Sequence, residues 1–279
     1  MDVSIQSLVY FVIITIIYFA YPSVGKPQLT VNDLMYPASL AEYNSTTMQR
    51  LAIYLAFIIL IQLILNSYYL MAKCGGLIGS NIGVAALYTF FPWLFMFGIL
   101  VIILYYCPGW KSAFANVIGY FVVANSANEL FSTILISSDV NNIINNASND
   151  DEKQKFSEAA ESLMKLCGNK SILINAMTSG NFLEMWSVLK IIMKPQYKDN
   201  IEVQQQLLDI ISLKDNIGEA LWYTYTAIFI SSIVYYNLAT RGCVKTAEQL
   251  KADAAQAEEE QAQVAAQQEL NNSVTYTSS

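Results

Sequence analysis

Histidine is absent from all 279 residues. That removes the commonest acid/base side chain and the commonest metal ligand together. Charge is also scarce, at 13% Asp, Glu, Lys and Arg, which makes an ordinary cytosolic enzyme a poor description. The net charge of −7 is spread over the polar segments without a basic block, and the pI is near 4.6. Nothing here would displace counterions from a nucleic acid, so we expect no nucleic-acid partner. The four cysteines, Cys74, Cys107, Cys167 and Cys243, are scattered singly, so spacing gives neither a metal site nor a disulfide framework. Cys243, beside an apolar run, could carry a palmitoyl group. No phosphate-cradling loop and no intramembrane carboxylate pair occurs. These absences lead us to expect no enzyme activity, no catalytic residue, no cofactor and no metal.

What the chain has is apolar surface: 54% of residues are hydrophobic and the mean hydropathy is +0.37. Leu51–Leu70 and Val84–Tyr106 contain no Asp, Glu, Lys or Arg, and each is long enough to cross a hydrocarbon core, which needs about 20 apolar residues in a helix. Tyr68, Tyr69, Tyr88, Trp93, Tyr105 and Tyr106 near their ends suit aromatic belts. Ile5–Tyr21 is a shorter run ending at Pro22. Ser23-Val24-Gly25 would allow it to be a cleaved signal peptide, but Asp2 and the lack of a preceding Lys or Arg favour a retained anchor. A last run, Ala220–Leu238, has aromatic residues at both ends. The expected fold is therefore all-α, a multi-pass membrane protein with four spans near 5–21, 51–72, 84–106 and 219–239, partnered by the lipid bilayer.

Within this frame, residues 22–50 read as a polar loop. Gln62 and Asn66 share one helix face, where uncharged amides most simply hydrogen-bond a neighbouring helix and hold a bundle or a homo-oligomer together; a polar pore lining is the alternative. Gly75, Gly79 and Gly83 have a doubled small-xxx-small spacing, which either forms a flat packing stripe or marks a turn. Pro92 should kink the third run. Four Asn-x-Ser/Thr patterns, at Asn44, Asn146, Asn169 and Asn271, are too short to assign glycans.

Residues 108–137 read as an interfacial or re-entrant segment that does not cross. Its strip of Trp110, Lys111, Phe114, Asn116, Gly119 and Tyr120 suits a headgroup boundary. Pro108-Gly109-Trp110-Lys111 and Phe114-Ala115-Asn116-Val117-Ile118-Gly119-Tyr120-Phe121 resemble a membrane protein of nucleocytoplasmic large DNA viruses, of the kind counted among their minor capsid components. The similarity covers about residues 100–137. It implies a virion structural protein in the internal membrane, which derives from host endomembrane, with capsid or other coat proteins as partners. It transfers no catalytic residue.

Asp139–Lys155 reads as a link, and a small helical module completes the 138–218 region. In it we expect helices at Phe156–Cys167, at Phe182–Met193 until Pro195, and at Ile201–Leu213. The tail, 240–279, is an Ala/Glu/Gln-rich helix. Arg241, Lys245 and Lys251 favour a cytosolic C-terminus under the positive-inside rule, though Lys26, Arg50, Lys111 and Lys214 nearly balance them. The module and the 22–50 loop then share the opposite side. Two functions fit: a structural protein joining a bilayer to a protein layer, or an oligomeric channel or transporter. The second would normally carry ionisable groups within its spans, which these lack.

Overall fold

The computed structural model describes residues 3–74, 79–135, 170–243 and 247–272. Among these every element is helical; an isolated bridge, Leu135 to Met193, is the one strand-like pairing. In order the helices are α1 (Val3–Ala20), α2 (Val31–Met35), α3 (Pro37–Cys74), α4 (Gly79–Pro92) and α5 (Gly98–Tyr106), then α6 (Ser112–Phe114) and α7 (Tyr120–Ile134). They continue with α8 (Lys170–Ala176), α9 (Phe182–Leu189), α10 (Ile201–Thr240) and α11 (Ala247–Asn272). Three helical stretches are long and apolar enough to cross a membrane: Pro37–Cys74, Asn81–Tyr106 and Ile201–Thr240; Ile5–Ala20 is a shorter apolar helix.

Two cores organise the chain. One is the axis of a bundle of α1, α3, α4–α5 and the second half of α10. Its buried residues recur at helical spacing: Phe11 and Tyr18; Tyr54, Ile58 and Leu70; Trp93, Phe97 and Leu104; Tyr223, Ala227, Ile230, Val234 and Leu238. The outward faces are equally apolar, with Ile53, Phe57, Leu60, Ile64, Ile102 and Phe229 exposed. A helix apolar all round is one whose outer face meets lipid or another protein. The second core joins the module to its surroundings: Leu173, Phe182, Trp186 and Leu189 pack with Leu207, Leu208 and Ile211 of α10, with Val123, Ala127 and Phe131 of α7, and with Leu29 and Val31.

Several expectations change. The 22–50 segment is mostly helix, not loop. Thr30 forms a reciprocal capping box with Asp33, opening α2, and α3 starts at Pro37, where a proline needs no intrahelical donor. The module does not end before the last apolar run either. α10 continues unbroken from Ile201 to Thr240, with the Asn200 side chain accepting from the Glu202 and Val203 amides at its start. At a rise of 1.5 Å per residue it is about 60 Å long, twice a hydrocarbon core. Periodicity located its two halves but could not show that Asp215–Gly218 stays helical. The Phe182 helix stops at Leu189, earlier than its apolar spacing suggests. Met193 is buried because it pairs with Leu135, and the Lys194 amide donates to the Ile134 carbonyl at 2.9 Å. The Asp139–Lys155 link and the Phe156–Cys167 helix lie outside the described residues.

At Pro92 the strain of a missing amide is absorbed as a π-helical turn over Trp93–Phe97 between α4 and α5. A second π turn, Ala115–Gly119, joins α6 to α7. Finally, Cys74 and Cys243 form a disulfide, with Cα atoms 5.4 Å apart, across 169 positions of sequence. Spacing alone could not pair them, since the ends of α3 and α10 meet only after the bundle folds. The bond also removes Cys243 as a free thiol for palmitoylation.

Candidate functional site

The charged centre of the molecule lies where bundle and module meet. Glu219, 5% exposed, sits on α10 at the head of the charge-free stretch. Its Oε2 accepts from Lys26 Nζ at 2.9 Å and Lys111 Nζ at 2.7 Å, and its Oε1 accepts from the Tyr223 hydroxyl at 2.8 Å. Lys26 also donates to Asn216 Oδ1 at 2.8 Å and lies over the Phe19 ring. Its turn is fixed by its own amide on the Tyr18 carbonyl and by Arg50, whose guanidinium donates to the carbonyls of Pro22 and Gly25. One carboxylate thus ties three segments together: the α1–α2 connection, the end of the Pro108–Lys111 turn, and α10. With three bonds on two oxygens it is a structural junction, and little of it is left to abstract a proton.

One turn and a half further up α10, Lys214 is fully buried, with no carboxylate partner among the described residues. Its ammonium donates to the carbonyls of Ile174 at 2.9 Å and Met177 at 2.8 Å, and to Asn116 Oδ1 at 3.2 Å. The two carbonyls lie at the C-terminal end of α8, where a helix presents unpaired carbonyls and favours a cation. Asp215, beside it, accepts from the amide and hydroxyl of Ser179 at 3.0 and 2.9 Å.

The expected interfacial strip contributes to this junction. Trp110 and Phe114 stack against Trp222, whose indole donates to the Trp110 carbonyl at 2.8 Å; Lys111 reaches Glu219; Asn116 reaches Lys214. Tyr120 packs at the edge of the module core. Residues 110–119 therefore run antiparallel to α10, from Trp222 to Lys214. Glycine makes the approach possible. A Cβ on Gly119 would fall 2.6 Å from the Lys214 carbonyl oxygen, and one on Gly218 would fall 2.7 Å from the Lys111 carbonyl oxygen and 2.8 Å from the Ala115 Cβ.

The other singled-out residues lie elsewhere. Gln62 and Asn66 are buried in the bundle, 1% and 5% exposed. Gln62 accepts from the Ser7 hydroxyl and donates to the Ser7 carbonyl at 3.1 Å; Asn66 donates to Thr89 Oγ1 at 3.1 Å. Both amides join neighbouring helices. They do not line a pore, because the fully buried Phe11, Ile58, Phe97 and Ile230 fill the axis beside them. Gly79 and Gly83 are helical, and nothing lies within 4 Å of where their Cβ atoms would be, so neither supports close packing within one copy. Gly75 lies outside the described residues.

Above the Glu219 junction opens a cavity of about 820 Å³, walled by the start of α3, the Pro108–Asn116 segment, Thr178–Gly180 and α10. Sequence reading missed Lys26, Lys214, Glu219 and Tyr223 as a group. The one signal was Glu219 at the edge of a charge-free run with Tyr223 on the same face. Comparison with protein-family models, with curated proteins and with solved structures finds no match to this chain.

Proposed function

We propose that this is a structural membrane protein that fastens a bilayer to a protein layer. The observation that carries the reading is the single α10 helix, whose first half is built into the module core and whose second half is built into the bundle core. A module held on a flexible linker could follow a partner without transmitting force to the membrane. One held on an uninterrupted helix, locked at the boundary by Glu219, moves with the membrane. Four spans fit this role, with α1 as the fourth: its 18 residues reach about 27 Å, and Phe11 and Tyr18 are buried in the bundle core. The resemblance of Pro108–Lys111 and Phe114–Phe121 to minor capsid proteins of large DNA viruses makes the protein layer a capsid and the bilayer a virion internal membrane. The open Gly79 and Gly83 face offers a place for a second copy.

The channel alternative gains nothing from a bundle axis closed by aromatic and aliphatic side chains. The test is crosslinking mass spectrometry on the native assembly with a lysine-reactive reagent. Module residues Lys190 and Lys198 should link to subunits of an ordered coat. Selective solute flux through liposomes carrying the purified chain, with no coat links, would replace this reading by the channel.

A further inference from the structure

The polar groups of the cavity above Glu219 are ordered along α10, with apolar side chains below them and, at Leu29, Leu34 and Leu213, also beside them. At its lower end, where the charge-free helices finish, the wall is Phe19, Leu51, Val101 and Tyr105. One turn higher are the ammonium groups of Lys26 and Lys111, with 13% and 22% of their side chains exposed. Among the described residues Lys111 makes a single hydrogen bond, to Glu219, and an ammonium has three protons to give. Another turn up the helix stands Asp215, and Asp209 lies about 9 Å beyond it. Asp215 Oδ2 takes both Ser179 bonds and Asp209 Oδ1 takes Gln28 and Gln205, so each carboxylate keeps an oxygen to which the described residues donate nothing. Ser212 Oγ, also in the wall, is buried without a partner. A cavity that presents apolar surface, then spare ammonium donors, then spare carboxylate acceptors calls for a ligand with acyl chains, then an anion, then a cation.

We infer that this cavity holds the headgroup of a zwitterionic phospholipid such as phosphatidylethanolamine. Its acyl chains lie against Phe19, Leu51, Val101 and Tyr105, its phosphate accepts from Lys111, and its ammonium donates to Asp215. The two-carbon bridge between phosphate and ammonium suits groups about one helical turn apart. A purely anionic headgroup fits badly, because two lysines face three carboxylates in the same wall, Glu219, Asp215 and Asp209. Occupancy of the cavity depends on its position at the end of the apolar helices and not on attachment to a coat, so either can fail alone.

Native mass spectrometry of the full chain in mild detergent tests it, with four probes: phosphatidylethanolamine, phosphatidylglycerol and diacylglycerol of identical acyl chains, and glycerophosphoethanolamine. We expect one phosphatidylethanolamine per chain, retained about tenfold better than phosphatidylglycerol, the size of one charge-assisted hydrogen bond. Diacylglycerol and the soluble headgroup should be lost. Asp215→Asn should abolish the preference between the two phospholipids, and Lys111→Met should weaken both. Equal retention of both phospholipids by the unaltered chain overturns the proposal, as does retention of diacylglycerol to the same extent. Glycerophosphoethanolamine binding as tightly as the lipid would make the ligand a soluble phosphodiester, and the lipid assignment would be wrong. The four probes are compared on the unaltered protein, so the outcome does not depend on whether a variant folds.

Discussion

Glu219 has few substitutes at its position. Two ammonium groups converge on one of its oxygens and a phenol on the other. Removing the carboxylate strands two partly buried lysines, whereas removing one lysine leaves a pair. Breaking a buried ion pair from one side typically costs 3–5 kcal/mol, and the lysines' residual exposure moves the expected value down. We therefore expect Glu219→Gln to destabilise by about 2–3 kcal/mol, and Lys26→Met or Lys111→Met by about half of that. Thermal melting of the purified chain in detergent measures the ranking. A lysine variant as harmful as Glu219→Gln would mean that the three groups do not share one charge balance. The amides deeper in the bundle carry less: Gln62 and Asn66 each join two helices, at roughly 1 kcal/mol for such a bond.

At the scale of elements, the seam between residues 108–119 and α10 is a close contact that depends on the absence of two side chains. Gly218→Ala puts a methyl group 2.7 Å from a backbone oxygen and 2.9 Å from a backbone nitrogen. Neither can rotate away, so we expect a loss of about 1–3 kcal/mol, typical of overpacking. Gly83→Ala, in a helix with nothing within 4 Å, should be neutral or stabilising by up to about 1 kcal/mol, because alanine is the better helix former. Urea or thermal unfolding of the two variants side by side checks the contrast; if Gly83→Ala is the worse of the pair, that glycine face is already occupied by a second copy. This seam also marks how far the sequence could be read. Run length and absence of charge revealed the apolar parts of Pro37–Cys74 and Asn81–Tyr106 and the second half of α10, because crossing a membrane imposes its composition locally. Trp110, Lys111, Phe114, Asn116 and Gly119 stood out as a strip, but their partners are Trp222, Glu219, Lys214 and Gly218, about a hundred residues away. The pattern of one stretch of sequence cannot tell a side chain that meets a headgroup from one that meets a distant helix. Gly79 and Gly83 show the converse, since small-xxx-small spacing marks a surface that permits packing without saying that anything packs there.

For the whole molecule, two signals of orientation oppose each other. Arg241, Lys245 and Lys251 follow the last apolar run and by the positive-inside rule favour a cytosolic C-terminus. The Cys74–Cys243 bond lies at that same end and belongs to an oxidising compartment. The charge signal is nearly cancelled by Lys26, Lys111 and Lys214 at the module end, so the covalent one decides, and the expected C-terminus moves to the oxidising side. Cys107, exposed at the other end of the apolar helices, makes this measurable. In sealed vesicles of the Cys167→Ser protein, a membrane-impermeant maleimide should label Cys107 from one face. After reduction it should label Cys74 and Cys243 only from the opposite face. Labelling of all three from one face would mean that the apolar helices do not cross. The same bond sets the mechanics of α10. Its foot is pinned by the disulfide and by Lys73, which donates to the carbonyls of Leu238, Ala239 and Arg241 at 3.0, 2.7 and 2.9 Å. A rod of about 60 Å hinged at its foot is a lever, and each degree of lean carries its far end through about 1 Å. Spans lean when the bilayer thins. On the proposed reading the module is then the pointer of a gauge, which turns a small change in membrane thickness into a sideways displacement of whatever surface it presents.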